Sequence, residues 1–67
     1  SFKASEENLE SFTQSFEFNK TSFEAGQLDF YSYFESLNNK NTAELQLINA
    51  KYTIILRKKI LDLYLAQ

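Results

Sequence analysis

The chain has 67 residues, 43% of them hydrophobic and 16% aromatic, and its 7 basic and 9 acidic residues give a net charge of -2. This length allows at most one small domain, and a core of that size rarely contributes more than about 3–5 kcal/mol. Cysteine and histidine are both absent, which excludes disulfides and thiolate metal sites. We therefore expect oligomerisation, or a larger parent protein, to support the fold.

The charge distribution argues against nucleic-acid binding, and the lack of a long apolar run argues against a membrane span. No basic stripe is present, and the longest run of one sign is Arg57, Lys58 and Lys59. That run could contact anionic lipid, but we interpret it as a solvated helix face. No stretch of 18 apolar residues occurs, and residues 1–10 lack the pattern of a signal peptide, so an export signal would lie outside this chain.

The first segment has the hydrophobic repeat of a coiled-coil helix. Phe2, Leu9, Phe16 and Phe23 are spaced seven residues apart, and Phe12 falls between two of them. A period of 3.5 residues predicts a helix over residues 2–25 that packs along a seam. The periodicity outweighs the middling helix propensity of phenylalanine.

The only glycine, Gly26, is predicted to end the first helix, because glycine takes the left-handed conformation without steric cost. Asp29 is suited to cap a second helix over residues 29–65. The connection is then Gly26, Gln27 and Leu28, which is short enough to require an antiparallel hairpin. Residues 1–67 are thus predicted to form one all-α, two-helix coiled-coil hairpin that assembles into a helical bundle.

The second helix carries an apolar row that matches the first when the chain folds at Gly26. Pairs such as Phe23 with Phe30 and Phe16 with Leu37 lie at equal distances from the turn. The predicted helix–helix seam comprises Phe2, Leu9, Phe12, Phe16, Phe30, Phe34, Leu37, Leu45, Ile48 and Tyr52.

Two features exceed the needs of a simple hairpin. The second helix has another apolar row, and the first has a second face of small residues, so each is expected to contact further helices. The first helix reaches only as far as Tyr52, which leaves residues 53–67, roughly 20 Å of helix, without an intrachain partner. We expect the chain to self-associate, as a dimer or bundle, or to be part of something larger.

An ordered series of short motifs resembles the TolC-type outer membrane efflux proteins. The series comprises Phe23, Glu24, Ala25 and Gly26 at the turn, then Asp29, then Ala50, Lys51 and Tyr52, and finally the run from Lys59 to Tyr64. The periplasmic hairpins of that family share an aromatic-x-x-Gly tip, a cap three residues later and an Ala-[Lys/Arg]-Tyr in the returning helix. The resemblance spans essentially the whole chain.

The resemblance implies a periplasmic segment of a trimeric outer membrane channel. Hairpins of that family form the wall of an α-helical conduit, and their tips dock a periplasmic adaptor that connects to an inner-membrane pump. The implied adaptor-contact tip is Phe23, Gly26, Gln27, Leu28 and Asp29. The membrane β-strands of the family are not in this chain, so it would be the second hairpin of a parent channel rather than the channel itself.

No residues with catalytic spacing are apparent, and we expect neither an enzyme nor a cofactor. Asp29 and Glu24 could be paired carboxylates, but no base or nucleophile accompanies them, so an N-cap and a solvated charge are favoured. Glu6, Glu7 and Glu10 could hold a cation, yet they lack the spacing of a cation-binding loop. We interpret them as part of the solvent-exposed face of the first helix.

Several polar and aromatic side chains on the predicted helices have two interpretations. Asn19 and Asn41 could line a hydrophilic conduit or could fix the register of the seam, and we favour register. Tyr31 and Tyr33 near the turn could belong to the core or to a docking surface. The alternative function, in a different class, is a free-standing interaction module that self-associates through its apolar C-terminal helix.

Overall fold

The computed structural model describes all 67 residues, Ser1–Gln67, and contains two helices and no strands. Helix α1 is Phe2–Glu24 and helix α2 is Phe30–Leu65. The predicted all-α hairpin is confirmed, with helix ends within one residue of expectation. The molecule is a rod of 62 × 16 × 13 Å, whose length is set by the 36 residues of α2.

The turn has the hydrogen bonds of a Schellman motif. Gly26 adopts a φ of 75°, and its N–H donates to the carbonyl of Phe23 over 3.0 Å. The N–H of Gln27 donates to the carbonyl of Ser22 over 2.8 Å. These two bonds satisfy carbonyls that the end of α1 would otherwise leave without partners. The chain then reverses and enters α2 within a few residues.

The interface between the helices is built around Phe16. Its ring is the only large side chain that is buried, at 7% exposure. The two other buried residues, Ser36 and Ala43, are small and lie on α2. On α1 the half-buried residues include Phe2, Leu9 and Phe23, so the predicted row of α1 does face its partner, with Phe12 at the edge of the interface.

The inward face of α2 differs from the prediction. Phe30, Phe34, Leu45, Ile48 and Tyr52 are exposed, whereas Leu37 is half-buried. The covered face of α2 instead comprises Tyr33, Ser36, Leu37, Lys40, Ala43, Leu47 and Ala50. The row of α2 that faces α1 is therefore offset from the predicted row by about one residue. This offset corresponds to a rotation of roughly 100° about the helix axis.

The size of the facing side chains explains this offset. The inward row of α1 is rich in phenylalanine, and rings from both helices at the same level would hold the axes apart. Small residues on α2 let the axes approach, and Ser36 and Ala43 on α2 are buried, as is Phe16 on α1. Hydrophobic periodicity identified both apolar rows of α2, but side-chain volume decides which one α1 covers.

The last 15 of the 36 residues of α2, residues 51–65, extend beyond α1. Every residue from 51 to 67 is exposed, and we call this segment the overhang. At 1.5 Å per residue the helical part is about 22 Å long. Its exposed large apolar side chains are Tyr52, Ile54, Ile55, Leu56, Ile60, Leu61, Leu63, Tyr64 and Leu65.

Replacing Gly26 by alanine tests the turn. No atom lies within 4 Å of the position that a Cβ would occupy, so the cost comes from the positive φ alone, roughly 1–2 kcal/mol. We expect urea unfolding, followed by circular dichroism at 222 nm, to show that loss for Gly26→Ala. Gln27→Ala, at the next position and without a positive φ, is the control. Equal stability of the two variants would contradict the assigned turn.

Two phenylalanines of α1 provide a matched pair. Phe16→Ala removes the buried ring and should cost roughly 3–5 kcal/mol, enough to unfold a hairpin of this size. Phe18→Ala removes a ring that is 74% exposed and should change stability by less than about 0.5 kcal/mol. Thermal unfolding monitored by circular dichroism measures both. A destabilisation of similar size at the two positions would mean that the interface is wrongly placed.

Candidate interaction surfaces

The end of the hairpin at the turn, which we call the tip, carries a cluster of aromatic rings. Phe23 of α1 stacks on Tyr33 of α2 with ring centroids 4.6 Å apart and an interplanar angle of 11°. Phe30 approaches Phe23 edge-on at 6.1 Å and stacks with Phe34 at 5.8 Å. Tyr33 also lies 5.8 Å from Phe16, so the rings link the tip to the buried centre of the interface.

The five residues predicted to form an adaptor-contact tip lie together at this end. Gly26, Gln27 and Asp29 are exposed, and Phe23 and Leu28 are half-buried. The chain conformation there is held by the Schellman hydrogen bonds on one side and by the cap of α2 on the other. Such a surface is exposed yet has little freedom to move, which limits the entropy lost on docking.

Asp29 caps α2 through its carboxylate. One oxygen accepts from the backbone N–H of Ser32 over 3.0 Å, and the other accepts from the Ser32 hydroxyl over 2.8 Å. These two hydrogen bonds, the hydroxyl first, lower the pKa of Asp29 below its ordinary 3.8 because they favour the charged form. The observed role is thus the N-cap, and Glu24 is an exposed residue at the end of α1.

Lys40 occupies a position in the interface that the sequence patterns did not single out. Its Nζ lies 5.0 Å from the centroid of the Phe16 ring and 3.6 Å from a carboxylate oxygen of Glu44, one turn later. The ammonium thus lies over the buried ring and keeps a charged partner near the surface. Apolar periodicity could not find this residue, because a lysine counts as polar in such a pattern.

A polar cleft of about 250 Å³ runs along one side of the helix pair, lined by Phe12, Ser15, Asn19, Ser32, Glu35, Ser36 and Asn39. Asn19 is half-buried and faces this cleft, whereas Asn41 is exposed and off the covered face. Of the two asparagines predicted to lie on the seam, only Asn19 is partly covered within the hairpin.

In contrast to the polar cleft, a row of exposed apolar side chains runs along α2. We call this set the outer row: Phe34, Leu45, Ile48, Tyr52 and Ile55. At its lower end Ile48, Tyr52 and Ile55, with Lys51, enclose a shallow apolar hollow of about 270 Å³. The outer row and the overhang together expose more large apolar side chains than the interface buries. Contiguous patches of this kind mark surfaces that contact other molecules.

The charged groups do not converge on a chemical site. No three acidic side chains lie close enough together to hold a metal ion, and Glu6, Glu7 and Glu10 are exposed along α1. Arg57, Lys58 and Lys59 are all exposed. Neither helix combines the length and the hydrophobicity that crossing a membrane requires. Comparison with protein-family models, with curated proteins and with solved structures gives no match for this chain.

The cap of α2 makes a pH dependence testable. Because the pKa of Asp29 is lower in the folded chain than in the unfolded chain, its contribution to stability is present above about pH 3.8 and is lost as the pH falls through the folded value. An NMR titration of the Asp29 carboxyl should give a midpoint below 3.8. Ser32→Ala should raise that midpoint, while Ser11→Ala, at an exposed position of α1 outside the cleft that Ser32 lines, should not. A midpoint unaffected by Ser32→Ala would contradict the hydroxyl bond.

Proposed function

We propose that this chain is a periplasmic helical hairpin of an outer membrane efflux channel, which forms part of the conduit wall and presents its tip to a periplasmic adaptor. The observation that carries the proposal is the exposure of apolar side chains on faces of α2 that α1 does not cover. A helix in a closed wall has a neighbour on each side, so it needs apolar residues on more than one face.

The dimensions of the hairpin support a role in a wall rather than in a compact domain. A compact chain of 67 residues has a radius of gyration of about 11 Å, whereas this one has 17.4 Å. A long thin rod with two kinds of side, one a polar cleft and one an apolar row, is suited to packing beside similar rods. Three copies of a parent channel would supply those neighbours.

The tip supports the proposed contact with an adaptor. Phe30 and Tyr31 expose most of their ring surface beside the half-buried Leu28. Aromatic side chains on a rigid surface are enriched among the residues that dominate binding energy at interfaces. The stacked pair of Phe23 and Tyr33 holds this surface in one conformation, so the loss of entropy on docking is small.

An efflux assay in cells tests the proposal with the full reading frame that contains this chain. Removing that gene should raise the retention of a fluorescent efflux dye several-fold, and the intact gene should reverse the change. Leu28→Asp places a carboxylate in the proposed docking surface, where burial without a partner is costly, and should fail to restore efflux. Gln14→Asp, which adds the same charge at an exposed position of α1 away from the tip, should restore it.

An immunoblot of the outer membrane fraction accompanies the assay, so that loss of docking is distinguished from loss of the protein. Unchanged dye retention in cells without the gene would contradict the proposal. So would recovery of the protein outside the cell envelope. Full activity of Leu28→Asp would be consistent with a channel but would contradict docking at the tip.

A further inference from the structure

The covered face of α2 continues into the overhang, where nothing covers it. A shift of 18 residues is five full helical turns, so residues that far apart lie on the same side of the helix. Lys58 stands 18 residues after Lys40, and Asp62 stands 18 residues after Glu44. The small or apolar positions repeat in the same way, with Ser36, Ala43 and Leu47 matched by Ile54, Leu61 and Leu65.

The covered part of α2 shows what this pattern binds. There, an antiparallel helix places an aromatic ring beneath the lysine ammonium, and the acidic residue one turn later pairs with that ammonium, as Phe16, Lys40 and Glu44 demonstrate. The overhang has the same lysine and acid, but larger apolar residues at Ile54 and Leu61. A helix in line with α1 would meet the same charged pair again, with the helix axes farther apart because Ile54 and Leu61 are larger than Ser36 and Ala43.

The charge of the overhang identifies the kind of helix that fits. Residues 51–67 contain four basic residues and one acidic residue, for a net charge of +3. Helix α1, which covers the equivalent face, contains five glutamates and two lysines, for a net charge of -3. If the overhang of a second copy docked here, two segments of net charge +3 would meet and Lys58 would approach the same residue of the other copy. Charge repulsion therefore disfavours a second copy, and charge complementarity favours an acidic helix.

The exposed area is large enough for a stable contact. A compact monomer of 7.9 kDa has an accessible surface of about 4,400 Å², whereas this chain has 5526 Å², an excess of about 1,100 Å². One partner in a standard protein interface contributes about 800 Å². The excess therefore matches one docking surface, and the overhang holds most of the large exposed apolar side chains of the chain.

We infer that the face of the overhang formed by Ile54, Lys58, Leu61 and Leu65 docks an acidic amphipathic helix, antiparallel to α2 and in line with α1. The docked helix places an aromatic ring beneath the ammonium end of Lys58. Its acidic residues flank that row and face Arg57 and Lys59. This inference concerns a surface other than the tip, and it stands or falls independently of the efflux proposal.

The test uses the 67-residue chain labelled with ¹⁵N and ¹³C, and a synthetic peptide of residues 1–25 as the acidic helix. This probe carries the phenylalanine row and the net negative charge of α1. Titration should give saturable NMR shifts at Ile54, Lys58 and Leu61. The methylene protons of Lys58 should move upfield under the ring current of the peptide's Phe16. A peptide with Phe16→Leu should lose that upfield movement.

Matched variants separate this face from the rest of the overhang. Leu61→Asp should weaken peptide binding by about tenfold or more, because it would bury an unpaired carboxylate. Leu63→Asp, the same change on a different side of the helix, should leave the affinity within about twofold, since a rim charge contributes little. A peptide with Glu6, Glu7 and Glu10 replaced by glutamine should bind more weakly, and added salt should reduce the binding of the original.

Three results would overturn the inference. Shifts confined to residues 33–50 would show that the peptide only exchanges with α1. Shifts centred on Leu56, Ile60 and Leu63, or binding that survives Leu61→Asp, would place the contact on another face. Shifts that depend on the concentration of the chain without peptide, together with a dimer mass by light scattering, would identify a second copy as the occupant.

Discussion

The structure depends on the contact of one buried aromatic ring of α1 with α2. Phe16 is the only large buried side chain, and its ring centroid lies 5.8 Å from that of Tyr33 and 5.0 Å from the Nζ of Lys40. From this contact the stacked rings of Tyr33 and Phe23 continue to the turn. A core of this size contributes little free energy, so most of the apolar surface of α2 is left for contacts outside the hairpin.

Hydrogen bonds fix the two helix ends that meet at the turn. The left-handed Gly26 and its two hydrogen bonds close α1, and the Asp29 carboxylate opens α2 two residues after the turn is complete. Both devices satisfy backbone groups that helix ends leave without partners. The chain therefore reverses direction with little conformational freedom, which makes the tip a defined surface. The same surface is the one to which the proposed function assigns a docking role.

Along its length, α2 presents different chemistry on different sides. One side holds the small residues and Lys40 against α1, a second carries the exposed outer row, and the overhang is apolar over most of its circumference. An α-helix with apolar residues on several sides is ordinarily surrounded by other helices. Assembly into a wall and docking of an acidic helix on the overhang address separate parts of this exposed surface, and neither requires the other.

The sequence alone determined the number of helices, their ends and their antiparallel order, because seven-residue spacing, a single glycine and a capping aspartate are local signals. It also determined the inward row of α1. Which row of α2 faces α1 was decided only by the tertiary structure, since Phe34, Leu45 and Ile48 form as regular a pattern as the covered face does. The choice depends on how closely two helix axes can approach, and that distance is set by the volumes of side chains on both helices; the covered face of α2 carries the buried Ser36 and Ala43.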